Sequence, residues 1–244
     1  MLTKTSVIYE PRGKAREYSR LAVNLYNGCS HACEYCYTPG YIHVSREEFH
    51  RPKPRKDVLE KINRDAAILR RQHETGPVLL CFTCDPYQPI DEECQLTRQA
   101  IQELHAFGLN VMILTKGGLR ARRDFDLLTG KDLFGVTITN LDNVLSKKWE
   151  PEAALPEERI ISLRNAHEKG IKTWISLEPV LYPVVALEII RLTHTFVDKF
   201  KVGVLNYHPH LKNIDWHRFA QEVKNLLTEL DCEFYLKEDL RKWL

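Results

Sequence analysis

The chain has 244 residues, with 35 Lys plus Arg against 33 Asp plus Glu for a formal net charge of +2, and 43% of it is hydrophobic. This length suits one substantial core, and the near-zero charge excludes the broad basic field of a protein that holds nucleic acid by global electrostatics. No apolar run approaches the roughly 18 residues of a spanning helix, and the opening MLTKTSVIYEPRGKAREYSR lacks a secretory apolar stretch, so the expectation is a cytoplasmic protein with no membrane partner. In a reducing compartment its seven cysteines point to metal binding or catalysis rather than to a disulfide framework.

In chain order, residues 1–20 form a basic lead-in with Arg12, Lys14, Arg16 and Arg20. LAVNL (21–25) reads as a strand running into a cysteine-rich loop. A second basic stretch, Arg51, Lys53, Arg55 and Lys56, reads like the first as a solvated loop face. Apolar positions 58, 59, 62, 66, 68 and 69 predict a helix over 57–73 with Asp57 as N-cap, and PVLLCFT (77–83) predicts a buried parallel strand. The alternation continues with helix 97–108, strand 110–116, a short helix over 124–130, strand 134–139, helix 155–170, strand 171–180, helix 183–197, strand 199–206 and helix 214–230. CEFYL (232–236) reads as a seventh, peripheral strand.

About six alternations of strand and helix with short connections predict a parallel sheet with right-handed crossovers. Eight units would be tight in this length, so the fold class is α/β, a partial (β/α)6 barrel in a single domain. Residues 21–231 would form the barrel core, and 232–244 an extension closing it. Ligands in such a fold bind at the carboxyl ends of the strands, where Cys29, Thr83, Lys116, Thr139 and Glu178 fall.

GCSHACEYCY (28–37) places Cys29, Cys33 and Cys36 in a C-x3-C-x2-C pattern. A structural zinc site usually takes four ligands, and no matching Cys or His pair follows at the usual distance; His31 lies inside the loop itself. Three thiolates suit three corners of a cubane iron–sulfur cluster and leave one iron open. A zinc loop or unrelated thiols is the other reading of the same residues.

The spacing, with Tyr35 just before the third cysteine, resembles the cluster loop of the radical S-adenosylmethionine (SAM) enzymes. YNGCSHACEYCYTPG, TCDPYQPIDEECQLTRQAI, LTKGGLRARRDFDLL, VTITNLDNVLSKKWEP and PEERIISLRNAHEKGIKTWISLEPV together resemble the group related to spore photoproduct lyase.

The resemblance implies a radical SAM barrel with one 4Fe-4S cluster ligated by Cys29, Cys33 and Cys36. It also implies SAM as cofactor and an electron donor such as flavodoxin or ferredoxin. Tyr35 would lie against the adenine, Thr83 and Asp85 near the SAM amino group, and Lys116 at the carboxylate or ribose. Thr137 and Thr139 share a face by strand alternation and could meet the ribose or methionine end, while Glu178 follows an apolar strand where a charge is costly unless paired or bound.

Cys81 and Cys84 are candidate hydrogen-atom donors, although C-F-T-C-D is out of register with the lyase's C-T-S-D; with Cys94 they could hold a second cluster only at an untypical spacing. Asn206, Tyr207, His208 and His210 are candidate substrate contacts. The expected activity is radical hydrogen abstraction from an organic substrate. That substrate is a nucleic-acid base, as in lyase-like DNA repair or modification, or else a small molecule or peptide; a non-catalytic iron–sulfur or zinc sensor is the third reading.

Overall fold

The computed structural model describes residues 2–3, 5–205 and 214–244. Its strands are β1 (Ile8–Tyr9), β2 (Leu21–Val23), β3 (Tyr26–Asn27), β4 (Lys53–Pro54), β5 (Val78–Leu80), β6 (Val111–Thr115), β7 (Leu133–Thr137), β8 (Lys172–Val180), β9 (Lys199–Val204) and β10 (Glu233–Leu236). The helices are α1 (Thr38–Tyr41), α2 (Arg46–Phe49), α3 (Val58–Arg71), α4 (Ile90–Cys94), α5 (Leu96–Ala106), α6 (Asn143–Trp149), α7 (Pro156–Glu168), α8 (Pro183–Thr193), α9 (Trp216–Glu229) and α10 (Glu238–Arg241).

The main sheet runs β1-β2-β5-β6-β7-β8-β9-β10, while β3 and β4 form a separate antiparallel ribbon. Only the β1–β2 pair in the main sheet is antiparallel; the seven strands from β2 to β10 run parallel. Each parallel strand lies beside its successor in the chain, the order of a barrel rather than of a doubly wound sheet. No ladder joins β1 to β10 among the described residues, so the barrel is partial. CEFYL supplies the seventh parallel strand, β10, in register with β9.

Strand alternation divides the side chains between two faces. Val78, Leu80, Val111, Ile113, Phe134, Val136, Ile175, Leu177, Phe200 and Val202 pack against the apolar stripes of the helices, Ile62 and Leu69 of α3 or Val223 and Leu227 of α9 for instance. The opposite, concave face carries Ala22, Leu79, Met112 and Trp174, with Tyr18 and Phe82 beside them. Gly135 makes room there, because a Cβ at that position would come within 2.3 Å of the Trp174 ring.

The N-terminal lead-in packs over this face with its basic side chains exposed. A 3-10 turn (Gly13–Glu17) crosses the concave face, where Lys201 donates to the Glu17 and Tyr18 carbonyls at 3.1 and 2.9 Å, and Tyr235 donates to Glu17 Oε2 at 3.0 Å.

Two local expectations change. Asp57 sits at the start of α3 with φ +54° and makes no side-chain cap, whereas Asp142 and Asp215 do cap α6 and α9. The helical turn expected over 124–130 lies earlier, as a 3-10 turn at Gly118–Asp124. The later residues are taken up by carboxylate bonds instead: Asp126 holds Arg98 at 2.7 Å, and Asp132 accepts from Thr129 N at 2.8 Å. Among the described residues no helix is long and apolar enough to cross a membrane.

Candidate active site at the cysteine loop

The ribbon β3–β4 brings the chain into the loop that carries the three cysteines. Gly28 has φ +92°, and a Cβ there would meet the Phe49 carbonyl at 2.5 Å, so only glycine lets Cys29 N donate to Phe49 O at 2.8 Å. The loop is then held from three sides. Buried Gln88 accepts from Ser30 N at 3.0 Å and donates to Gly28 O at 3.3 Å. Exposed Arg46 donates to the carbonyls of Cys33, Glu34 and Cys36 at 3.2, 2.7 and 3.2 Å. The segment after α6 completes the cradle, with Glu34 N bonded to Trp149 O at 2.9 Å and Glu152 N to His31 O at 3.2 Å.

All three thiols are free; Cys33 is buried, and Cys29 and Cys36 are partly so. Burial raises the Cys29 thiol and pushes Cys33 up to about 12 despite the nearby Lys116 ammonium. Ligation must therefore remove the protons that burial keeps on Cys29 and Cys33. Among the described residues no three Cys, His, Asp or Glu side chains converge as one mononuclear ion requires. A cubane binds each thiolate to a different iron and does not need three side chains to converge on one ion, so the three-thiol loop is compatible with a cluster.

Asp85 braces the floor. Its Oδ1 accepts from Thr115 Oγ1 at 2.6 Å and Tyr87 N at 2.8 Å, and its Oδ2 accepts from Lys116 N at 2.7 Å with His31 Nδ1 at 3.4 Å. Burial alone would raise this carboxyl, but His31 and the hydrogen bonds outweigh it and hold it well below the carboxylate range. Asp85 is thus spent on positioning Lys116 and the loop histidine. Thr83 is held by its backbone, N to Asn24 Oδ1 at 2.9 Å.

Lys116 and Tyr35 come together, the ammonium 5.6 Å from the ring centroid. Behind them stands a buried group that sequence reasoning missed: Tyr35 OH donates to Glu150, and Glu150 Oε2 pairs with Arg159 Nη1 at 2.6 Å, both charged side chains being fully buried. Arg159 also donates to Ala154 O at 2.8 Å and Thr137 O at 3.0 Å. Burial would raise the Glu150 carboxyl, but Arg159 and Lys116 bring it below its usual value. These partners lie more than a hundred residues from Tyr35, so no local spacing could have revealed them.

Thr137 and Thr139 are both buried at the end of β7. Thr139 Oγ1, Asn140 Nδ2 and, in the cysteine loop, Ser30 Oγ are buried without a hydrogen-bond partner. Buried polar atoms left unpaired are costly, and such a set at the carboxyl end of the barrel fits a polar ligand such as SAM. Glu178, two residues before the end of β8, is paired with Lys237 at 2.9 Å and accepts from Tyr18 OH. Cys81 and Cys84 follow β5, the first buried and the second partly so. Asn206, Tyr207, His208 and His210 lie outside the described residues.

Fold and loop together define a class: a partial parallel barrel carrying a cluster-type cysteine loop at its carboxyl end. Residues 23–197 match the Radical SAM superfamily, and the chain belongs to that family, whose enzymes use SAM and a 4Fe-4S cluster in radical chemistry. Its curated relatives include an uncharacterized protein of Methanocaldococcus jannaschii, 29% identical over 191 residues, which covers 77% of this chain and 71% of that protein. Others are uncharacterized proteins of Acidianus two-tailed virus and Mycobacterium bovis, each 30% identical over 66% and 74% of this chain; the chain spans only 56% and 55% of their lengths.

Among solved structures, spore photoproduct lyase complexed with dinucleoside spore photoproduct superposes with a TM-score of 0.73 at 15% identity, over 96% of this chain and 79% of that one. Streptococcus suis SuiB bound to SAM gives 0.63 at 16% identity, over 88% and 49%. At these identities the likeness is one of fold.

Proposed function

We propose that the chain is a radical SAM enzyme in which Cys29, Cys33 and Cys36 hold a 4Fe-4S cluster that, with SAM bound, supplies a 5'-deoxyadenosyl radical for hydrogen abstraction from a nucleic-acid base. The observation that carries the reading is the triply braced cysteine loop beside Lys116, Tyr35 and the unpaired polar atoms of Thr139 and Asn140. Lys116 offers a cation to the SAM carboxylate, and Tyr35 offers a ring face to the adenine. Thr139 and Asn140 contribute a hydroxyl and an amide to the ribose or methionine end. Burial raises the Cys81 thiol well above its usual value, so it keeps its hydrogen at neutral pH, the form that a hydrogen-atom donor must have.

The nucleic-acid substrate rests on likeness to the lyase, the solved structure of which carries a dinucleoside, and on the exposed basic residues Lys53 and Lys56 of the ribbon region. Two other basic residues are already engaged, Arg20 with Glu74 at 2.9 Å and Arg51 with Glu47 at 2.6 Å. The proposed reaction takes its electron from a donor such as flavodoxin or ferredoxin.

Two measurements test the proposal. Adding SAM to the anaerobically reconstituted, dithionite-reduced protein changes the cluster's electron paramagnetic resonance signal; an unchanged signal contradicts SAM binding. Binding of single-strand and duplex DNA falls as salt rises. Absence of any salt-sensitive binding moves the substrate to the small-molecule or peptide class.

A further inference from the structure

Directly after the third loop cysteine the chain turns into α1, and that turn has two unlike sides. Thr38 and Pro39 are buried and anchor it, while Tyr41 N donates to Tyr37 O at 3.1 Å, which puts the two tyrosines one turn apart on the outer side. Tyr37 is 52% exposed, Tyr41 73% and the following Ile42 42%. Large side chains left open together, next to a site, mark a surface that something covers. Two cations border it. Exposed Arg46 is held by the carbonyls of Cys33, Glu34 and Cys36 at 3.2, 2.7 and 3.2 Å and pairs with no carboxylate among the described residues, so its charge is fixed beside the loop and not neutralised. Lys53, also exposed and without a carboxylate partner among the described residues, lies opposite Asn27 in the ribbon, two positions before Cys29. Glu34 and Glu48 are exposed in the same stretch, so the local positive charge is small and phosphate attraction alone would hold a polyanion weakly.

We propose that Tyr37 and Tyr41 form a stacking platform for the unpaired bases of a single strand, with Arg46 and Lys53 facing its phosphates, and that the protein therefore prefers single-strand over duplex nucleic acid. The proposal rests on the nucleic-acid reading above and narrows it. A duplex presents phosphates but keeps its base faces inside its own stack, so only an unpaired strand can use the rings and the cations together. Stacking tolerates any base, because every base has a flat face, and a phenol ring turns about few bonds and costs little to order. The platform thus supplies what the sparse charge does not, and it leads the strand to the carboxyl end of the barrel, since Tyr37 adjoins Cys36.

The test measures, by fluorescence anisotropy across a salt series, how the anaerobically reconstituted full chain binds a labelled oligothymidylate of about 12 nucleotides and the duplex it forms with oligodeoxyadenylate. The native protein is expected to bind the single strand about tenfold more tightly than the duplex. Tyr41→Ala weakens the single strand about tenfold and the duplex little, with the salt dependence unchanged because no phosphate contact is lost, and Tyr41→Phe, which keeps the ring, retains the native affinity. Lys53→Ala instead flattens the salt dependence, by about 0.7 in the slope of log affinity against log salt. An unchanged urea midpoint shows that the Tyr41 variants fold, as expected for so exposed a side chain. Equal affinity of the native protein and Tyr41→Ala for the single strand, or an equal loss on the duplex, overturns the platform while the nucleic-acid reading stands. A native protein that binds neither form at any salt overturns both and gives this face to a peptide.

Discussion

The concave face of the barrel is filled in two different ways along its length. Across β8, β9 and β10 its charges answer one another: Lys237 pairs with Glu178 at 2.9 Å and lies 3.8 Å from Glu17, while Lys201 caps two carbonyls of the N-terminal turn and lies 5.1 Å from the Tyr18 ring centroid. Around the cysteine loop the backbone is just as firmly held, yet Ser30, Thr139 and Asn140 keep buried polar atoms without partners. A region whose donors and acceptors are all matched specifies structure, whereas one that leaves them open at a cost of stability has capacity for a ligand.

The largest effect that could break this comparison lies under the loop. Glu150→Gln strands the Arg159 charge in the interior and is expected to cost about 3–5 kcal/mol, read by urea unfolding. A cost below about 1 kcal/mol would mean that the pair is solvated and not a foundation of the site. In the matched region, Glu178→Gln is expected to cost about 1–3 kcal/mol, since Glu17 and the Tyr18 ring still face Lys237, with SAM affinity unchanged. A large loss of SAM binding in that variant would return Glu178 to the cofactor.

Thr139→Val sharpens the contrast from the other side. Removing an unpaired buried hydroxyl leaves the metal-free protein as stable as before or more so, while SAM affinity of the reconstituted protein falls about tenfold. Lower stability with unchanged affinity would make Thr139 a structural residue.

The smallest effect concerns Lys201. Burial, followed by the charges of Lys199 and Lys237, lowers its ammonium to about 8 from the usual 10.5, against the attraction of Glu178 and Glu17. Between these values the unfolded chain binds more protons than the folded one, so the contribution to stability rises with pH across that window. From pH 7 to 9 the gain is on the order of 1 kcal/mol, and urea unfolding should show it in the native protein but not in Lys201→Met.

What the sequence disclosed follows from the range of each interaction. The strand and helix alternation and the three cysteines are local patterns, and the order of the sheet matches them. Glu150, Arg159, Gln88 and Arg46 carry no local signal, because their roles depend on which loops the barrel brings together. The N-terminal basic stretch reads as solvated, and Arg12, Lys14, Arg16 and Arg20 are exposed; what no local pattern showed is that backbone carbonyls of this segment accept from two buried lysines that arrive from β9 and the end of β10. Glu178 drew attention as a charge that needs a partner, and that partner, Lys237, lies 59 positions further along the chain.

The central claim is that the braced cysteine loop supports radical SAM chemistry. Its most direct test is formation of 5'-deoxyadenosine by the anaerobically reconstituted protein with SAM and dithionite, compared with Cys33→Ala. The account predicts 5'-deoxyadenosine from the native protein and background levels from the variant. No 5'-deoxyadenosine from a native protein that carries its full complement of iron and sulfide, or equal amounts from both proteins, would contradict it.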